Sequence, residues 1–142
     1  MTAQTRDAVP PAGAGPFRAR EMTISLTVKD LPASAAWYHD VAGFTIDRRI
    51  ERDGAVRSVA LSAGPVRLLL NQDDGKKGWE RIKGEGFSLR FLTEQSVDEV
   101  AARIKAAGGT LDTEPADMPW GVRMFRVRDP DGYRIAVSSV AG

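Results

Sequence analysis

Residues 23–44 read TISLTVKDLPASAAWYHDVAGF. Ile24, Leu26 and Val28 alternate with Thr23, Ser25 and Thr27, the two-residue period of a strand with one buried face. Pro32 then suits the first turn of a helix. Trp37, Tyr38 and Val41 form an apolar stripe at helical spacing, and Gly43 stands where a helix should stop. A new strand begins around Phe44. The stretch therefore predicts a strand–helix–strand unit whose helix covers one face of a sheet.

Downstream, Asp53-Gly54 is a hairpin signal, Val59 and Leu61 alternate with Ser58 and Ser62, Gly64-Pro65 turns, and residues 66–70 form a further strand. Residues 71–84 are polar and glycine-containing and read as a connection. The order then repeats. Phe87, Leu89 and Phe91 alternate with Ser88 and Arg90. Residues 96–107 form a helix opened by a Ser96–Glu99 capping box and closed by Gly108-Gly109. Strands follow near 110–111, 122–127 and 133–138, the last two joined by an Asp129-Pro130-Asp131-Gly132 turn. The pattern repeats although the letters do not. It predicts an α+β fold of two βαβββ modules forming a cupped mixed sheet with helices on the outside. Each module has one sheet face covered and one bare, and two bare faces side by side can enclose a ligand.

The expected division is a flexible Ala/Pro/Gly-rich tail at 1–20 and a single domain at 21–142. That domain divides into module one at 22–72, a linker at 73–84 and module two at 85–140. The chain of 142 residues carries 20 Lys+Arg against 19 Asp+Glu, a formal net charge of +1. Such a balance announces neither nucleic acid nor a membrane surface as a partner. With Cys 0 there is no disulfide, thiolate metal site or cysteine nucleophile, and the single His39 rules out two histidine ligands from one chain. No long apolar run and no signal peptide are visible, so the reading is cytoplasmic.

The segments 28–34 and 37–44, with Ala106-Ala107-Gly108-Gly109, Trp120-Gly121 and Asp129-Pro130-Asp131-Gly132-Tyr133-Arg134-Ile135, resemble the vicinal oxygen chelate superfamily. That superfamily comprises glyoxalase I, bleomycin resistance proteins and extradiol dioxygenases. The resemblance spans about residues 22–137. It implies paired βαβββ modules, homodimers, and in the enzymes a divalent metal held by His, Glu or Gln on the strands. Those ligand positions fall near Thr23, at Leu68 or Leu69, near Gly86 and at Ala136. None of these residues is a good donor, whereas a catalytic divalent ion needs about three protein ligands. Shifting by one or two residues offers only Glu21 or Ser25, Glu85 or Ser88, and Arg134 or Ser138. No metal ligand, no cofactor and no catalytic residue is therefore assigned.

Strand parity supplies the candidate ligand-binding residues. Thr23 and Ser25 face the cavity in module one. Ser88, Arg90, Arg134 and Ala136 face it in module two, joined by Met124 or, with the other parity, Phe125. Arg123 and Arg126 have opposite parities, so only one points inward. Trp120 suits a cavity lip, and Trp79 should cover the cavity or a dimer interface. Two guanidinium groups beside a small Ala136 suggest an anionic or strongly polar ligand. Trp37 and Tyr38 are read as core, His39 as solvated, and Asp129 and Asp131 as turn formers. The expected function is metal-free binding of a small molecule, an antibiotic or a metabolite, by a homodimer. The alternatives are a metal-independent enzyme using Glu85, Tyr133 or Asp117, and an accessory protein acting through its dimer surface.

Overall fold

The computed structural model describes residues 15–140. Residues 1–14 of the expected tail lie outside the described residues, and 15–20 are exposed without helix or strand. Module one runs β1 (Thr23–Val28), α1 (Leu31–Ala36), β2 (Thr45–Arg52), β3 (Ala55–Ala63) and β4 (Val66–Gln72). Module two runs β5 (Leu89–Thr93), α2 (Val97–Ala106), β6 (Leu111–Asp117), β7 (Arg123–Arg128) and β8 (Arg134–Ser139). The strands form two four-stranded mixed sheets, ordered β1-β4-β3-β2 and β5-β8-β7-β6. In each sheet the first and last strands of the module pair in parallel, as a βαβββ unit requires. No helix among the described residues is long and apolar enough to cross a membrane.

Local sequence explains the boundaries. Asp30 caps α1, its side chain accepting from the Ala33 N–H at 3.1 Å, and Ser96 caps α2 by accepting from Glu99 N–H at 3.2 Å. Asp53 (φ 53°) and Gly54 (φ 79°) are both left-handed, as a two-residue hairpin needs. Two expectations are corrected. The first helix widens at Trp37–Val41 into a π-helical turn, in which Ala42 N–H reaches the Trp37 carbonyl at 3.0 Å. Phe87 precedes its strand rather than alternating within it; it is half exposed and tilts against the Tyr133 ring.

Both modules contribute to one apolar core. Leu26, Val28, Leu61 and Leu70 of the first sheet join Leu89, Phe125, Val127 and Ile135 of the second, together with Leu31, Ala35 and Tyr38 from the first helix and Val97, Ala101 and Ile104 from α2. Phe44 and Phe91 meet edge to face across the junction at 5.7 Å. Polar side chains then stitch the seam. Tyr38, fully buried, donates its hydroxyl to Asp129 Oδ2 at 2.7 Å. Asp129 Oδ1 accepts from the Asp131 and Tyr133 N–H groups, both at 2.9 Å. Asp131 Oδ2 accepts from Lys29 N–H at 2.8 Å and from Lys83 Nζ at 3.0 Å, and Tyr133 donates to the Thr27 carbonyl at 2.8 Å.

Burial, reinforced by the Asp129 carboxylate, pushes the Tyr38 phenol above its ordinary value of about 10. A raised folded-state value means that the stabilisation is whole below about pH 10 and is lost as the unfolded phenol ionises above it. Alkaline unfolding followed by circular dichroism should therefore begin at lower pH in the wild type than in Tyr38→Phe, after normalising for neutral-pH stability. Equal alkaline midpoints would contradict this account.

Candidate functional site

Residue parity in module two is set by the core. Phe125 (0% exposed) and Val127 (2%) turn inward on β7, and Ile135 (5%) does so on β8. Met124, Arg126, Arg128, Arg134 and Ala136 therefore project from the opposite, bare face. Met124 takes the cavity-lining place and Phe125 belongs to the core. Arg123 points away from the bare face and forms a bidentate pair with Asp98 of α2 at 2.7 and 3.0 Å, with Asp117 at 3.1 Å. Arg126 is thus the cavity-facing arginine.

These residues surround a cavity of about 360 Å³ whose lining includes Ser88, Arg90, Trp120, Met124, Arg134 and Ala136. Arg126, Arg128 and Asp112 complete its charged wall. Strand register fixes the floor: Ala136 lies directly between Arg90 on β5 and Arg126 on β7, and Arg134 pairs with Arg128 one step along. Arg128 is neutralised by Asp112 at 2.8 Å. Among the described residues no carboxylate lies within 4.0 Å of the Arg90, Arg126 or Arg134 guanidinium. Trp120 stands at the rim, 57% exposed. It is held in a turn in which Gly121 (φ 95°) donates to the Met118 carbonyl at 3.0 Å.

Six sequence candidates are therefore gathered in one cavity: Ser88, Arg90, Trp120, Met124, Arg134 and Ala136. Three others stand elsewhere. Ser25 lies on the bare face of module one, where Asn71 donates to Ser25 Oγ at 2.7 Å and Ser58 donates to Asn71 Oδ1 at 2.8 Å. Thr23 pairs in register with Arg67, which is itself paired with Glu21 at 3.3 Å. Trp79 folds over the Gly75 backbone so closely that no Cβ would fit there. The sequence reading missed Arg128, and it missed Lys83, which the linker buries between Asp73 (3.1 Å) and Asp131 (3.0 Å). The Gly75 N–H and the Lys83 ammonium hold the Asp73 carboxyl below its ordinary value. The two carboxylates outweigh the burial penalty and hold Lys83 above its own.

The positions implied for a metal fit one poorly. Leu68 is core, Leu69 faces outward opposite Ser25, and Ala136 offers no donor between two arginines. Among the described residues no three His, Asp, Glu or Cys side chains converge. The acid–base candidates are also engaged or apart. Asp117 is paired with Arg123, and the Tyr133 hydroxyl is spent on Thr27 and pushed up in pKa by burial. Glu85 shares an open cleft with Tyr133, Ser25 and Arg81, and does not line the cavity that holds Arg90, Arg126 and Arg134.

Several solved structures share the fold. TioX from Micromonospora sp. ML1 is 24% identical with a TM-score of 0.67, over 85% of this chain and 98% of that one. A glyoxylase/bleomycin resistance protein/dioxygenase domain from Frankia sp. EAN1pec is 23% identical with a TM-score of 0.71, over 87% and 93%. A superfamily member from Sphaerobacter thermophilus DSM 20745 is 22% identical with a TM-score of 0.71, over 86% and 98%. No curated protein matches the chain in sequence. The model of the Glyoxalase/Bleomycin resistance protein/Dioxygenase superfamily matches residues 22–137, and with the paired βαβββ modules this establishes that the chain belongs to that superfamily.

Proposed function

We propose that this chain is a small-molecule binding protein that works without a divalent metal, sequestering an antibiotic or a metabolite in the cytoplasm. The observation that carries the reading is the floor of the module-two cavity, where Ala136 sits between Arg90 and Arg126. A cation placed there would meet guanidinium groups and no donor. The cavity, at about 360 Å³, falls within the usual range for ligand sites, and its Trp120 and Met124 supply apolar surface for a flat molecule.

The cavity is lined by module two alone and is open on its other side. A second copy of the chain, bringing up its own bare sheet, would complete the enclosure and cover the exposed Trp120 and Leu92. The working unit is accordingly a homodimer.

Calorimetric titration with zinc, nickel, iron(II) and manganese is expected to give no stoichiometric heat. Light scattering on the same samples is expected to return twice the chain mass. A screen of planar compounds should contain members that raise the melting temperature, since a ligand bound only by the native state stabilises it. Stoichiometric uptake of one of these ions would overturn the metal-free reading.

A further inference from the structure

The bare face of module two concentrates positive charge on a chain whose formal net charge is only +1. Four arginines line one cavity, and a single carboxylate, Asp112, stands among them. That carboxylate is committed to Arg128 at 2.8 Å. Arg90 and Arg126 flank Ala136 on adjacent strands, about 10 Å apart across the sheet. Arg134 lies two residues before Ala136 on the same strand and the same face. Gathering like charges on one side of a sheet opposes folding. The small side chain at their centre leaves an oxyanion room to approach all three guanidinium groups, whose planar N–H forks match carboxylate and phosphate oxygens.

We infer that the cavity selects organic anions: a carboxylate or phosphate ester is gripped by Arg90, Arg126 and Arg134 over Ala136, while its flat apolar body lies against Met124 and Trp120. This deepens the binding reading above and rests on it. The positive charge that a metal would supply in this scaffold comes here from side chains. Cationic compounds are excluded by the same three groups.

Three isosteric probes test the charge rule: 2-naphthoate, neutral 2-naphthylmethanol and cationic 2-naphthylmethylammonium, each titrated calorimetrically into the full chain. Naphthoate is expected to bind at least tenfold more tightly than the alcohol, the ammonium more weakly still, and the anion's advantage to shrink as salt screens the arginines. Arg126→Gln and Arg90→Gln should each weaken naphthoate about tenfold and leave the alcohol unchanged. Arg52→Gln, in the distant β2–β3 hairpin, should change neither. Phenyl phosphate and inorganic phosphate, run alongside, separate an ester ligand from the free ion: binding of the ester alone supports the inference, because the apolar wall is then needed too. Alcohol or ammonium binding as tightly as naphthoate would overturn the anion rule while leaving the binding cup intact. Silence from these probes and from the planar screen would overturn both.

Discussion

Replacing Asp129 by alanine is expected to lower the unfolding free energy by about 3 kcal/mol and the melting temperature by about 10 °C. Three donors depend on this carboxylate: the Tyr38 hydroxyl at 2.7 Å and the N–H groups of Asp131 and Tyr133 at 2.9 Å. The Tyr38 hydroxyl has no water to turn to, because the residue is 0% exposed. An unsatisfied buried donor costs more than the bond itself was worth. Burial also raises the Asp129 pKa against the pull of those same donors, so the carboxylate is held at some expense. Tyr38→Phe provides the contrast. It strands no donor but leaves the buried Asp129 Oδ2 without its hydroxyl, so its loss should be about 2 kcal/mol, still below that of Asp129→Ala. Urea denaturation of both variants checks the ratio; equal losses would mean that the turn N–H groups and the phenol find other partners.

Lys83→Met should cost about 3 kcal/mol. The substitution keeps the length of the side chain and its apolar stem. It removes the one cation, 4% exposed at its side chain, that separates Asp73 from Asp131. Two carboxylates then face each other in a poorly hydrated place, with Arg81, 3.5 Å from Asp73, as the cation left beside them. Their repulsion is greatest when both are ionised, so the deficit should be larger at pH 7 than near pH 4. Adding Asp73→Asn to Lys83→Met should return part of the lost stability, since it deletes one of the stranded charges. In the wild type, Asp73 acts in the opposite sense. Its lowered pKa contributes stability above the ordinary carboxylate value, and that contribution fades as acid protonates the folded form. A Lys83→Met protein with wild-type urea midpoint at pH 7 would show that the triad is energetically idle.

The fold was legible because its punctuation is local. Period-two alternation at 23–28, the Asp53-Gly54 hairpin, the Ser96 cap and the Asp129–Gly132 turn each declare themselves within a few residues. Face assignment was harder on β7, where RMFRVR carries apolar and basic side chains on both parities. Packing settles it: Phe125 and Val127 are buried in the core, and Arg123 on their side of the strand pairs with Asp98, 25 residues earlier, which leaves Arg126 facing the cavity. Lys83 was invisible for the same reason. It sits in a polar connection that reads as solvated, and its burial depends on Asp131, 48 residues further along. Asp129 and Asp131 do form their turn as expected. That they also reach Tyr38 and Lys29, 91 and 102 residues away, is a property of the packed chain and of no local pattern.

Because the two modules share a single apolar interior, neither half is equipped to fold when separated from the other. A chain cut in the 73–84 connection and expressed as two pieces would yield fragments that need each other to become ordered. Their reassembly would be a bimolecular folding reaction, dependent on concentration. The duplicated architecture is thus indivisible in spite of its symmetry, and a split version of this protein could serve as a complementation reporter.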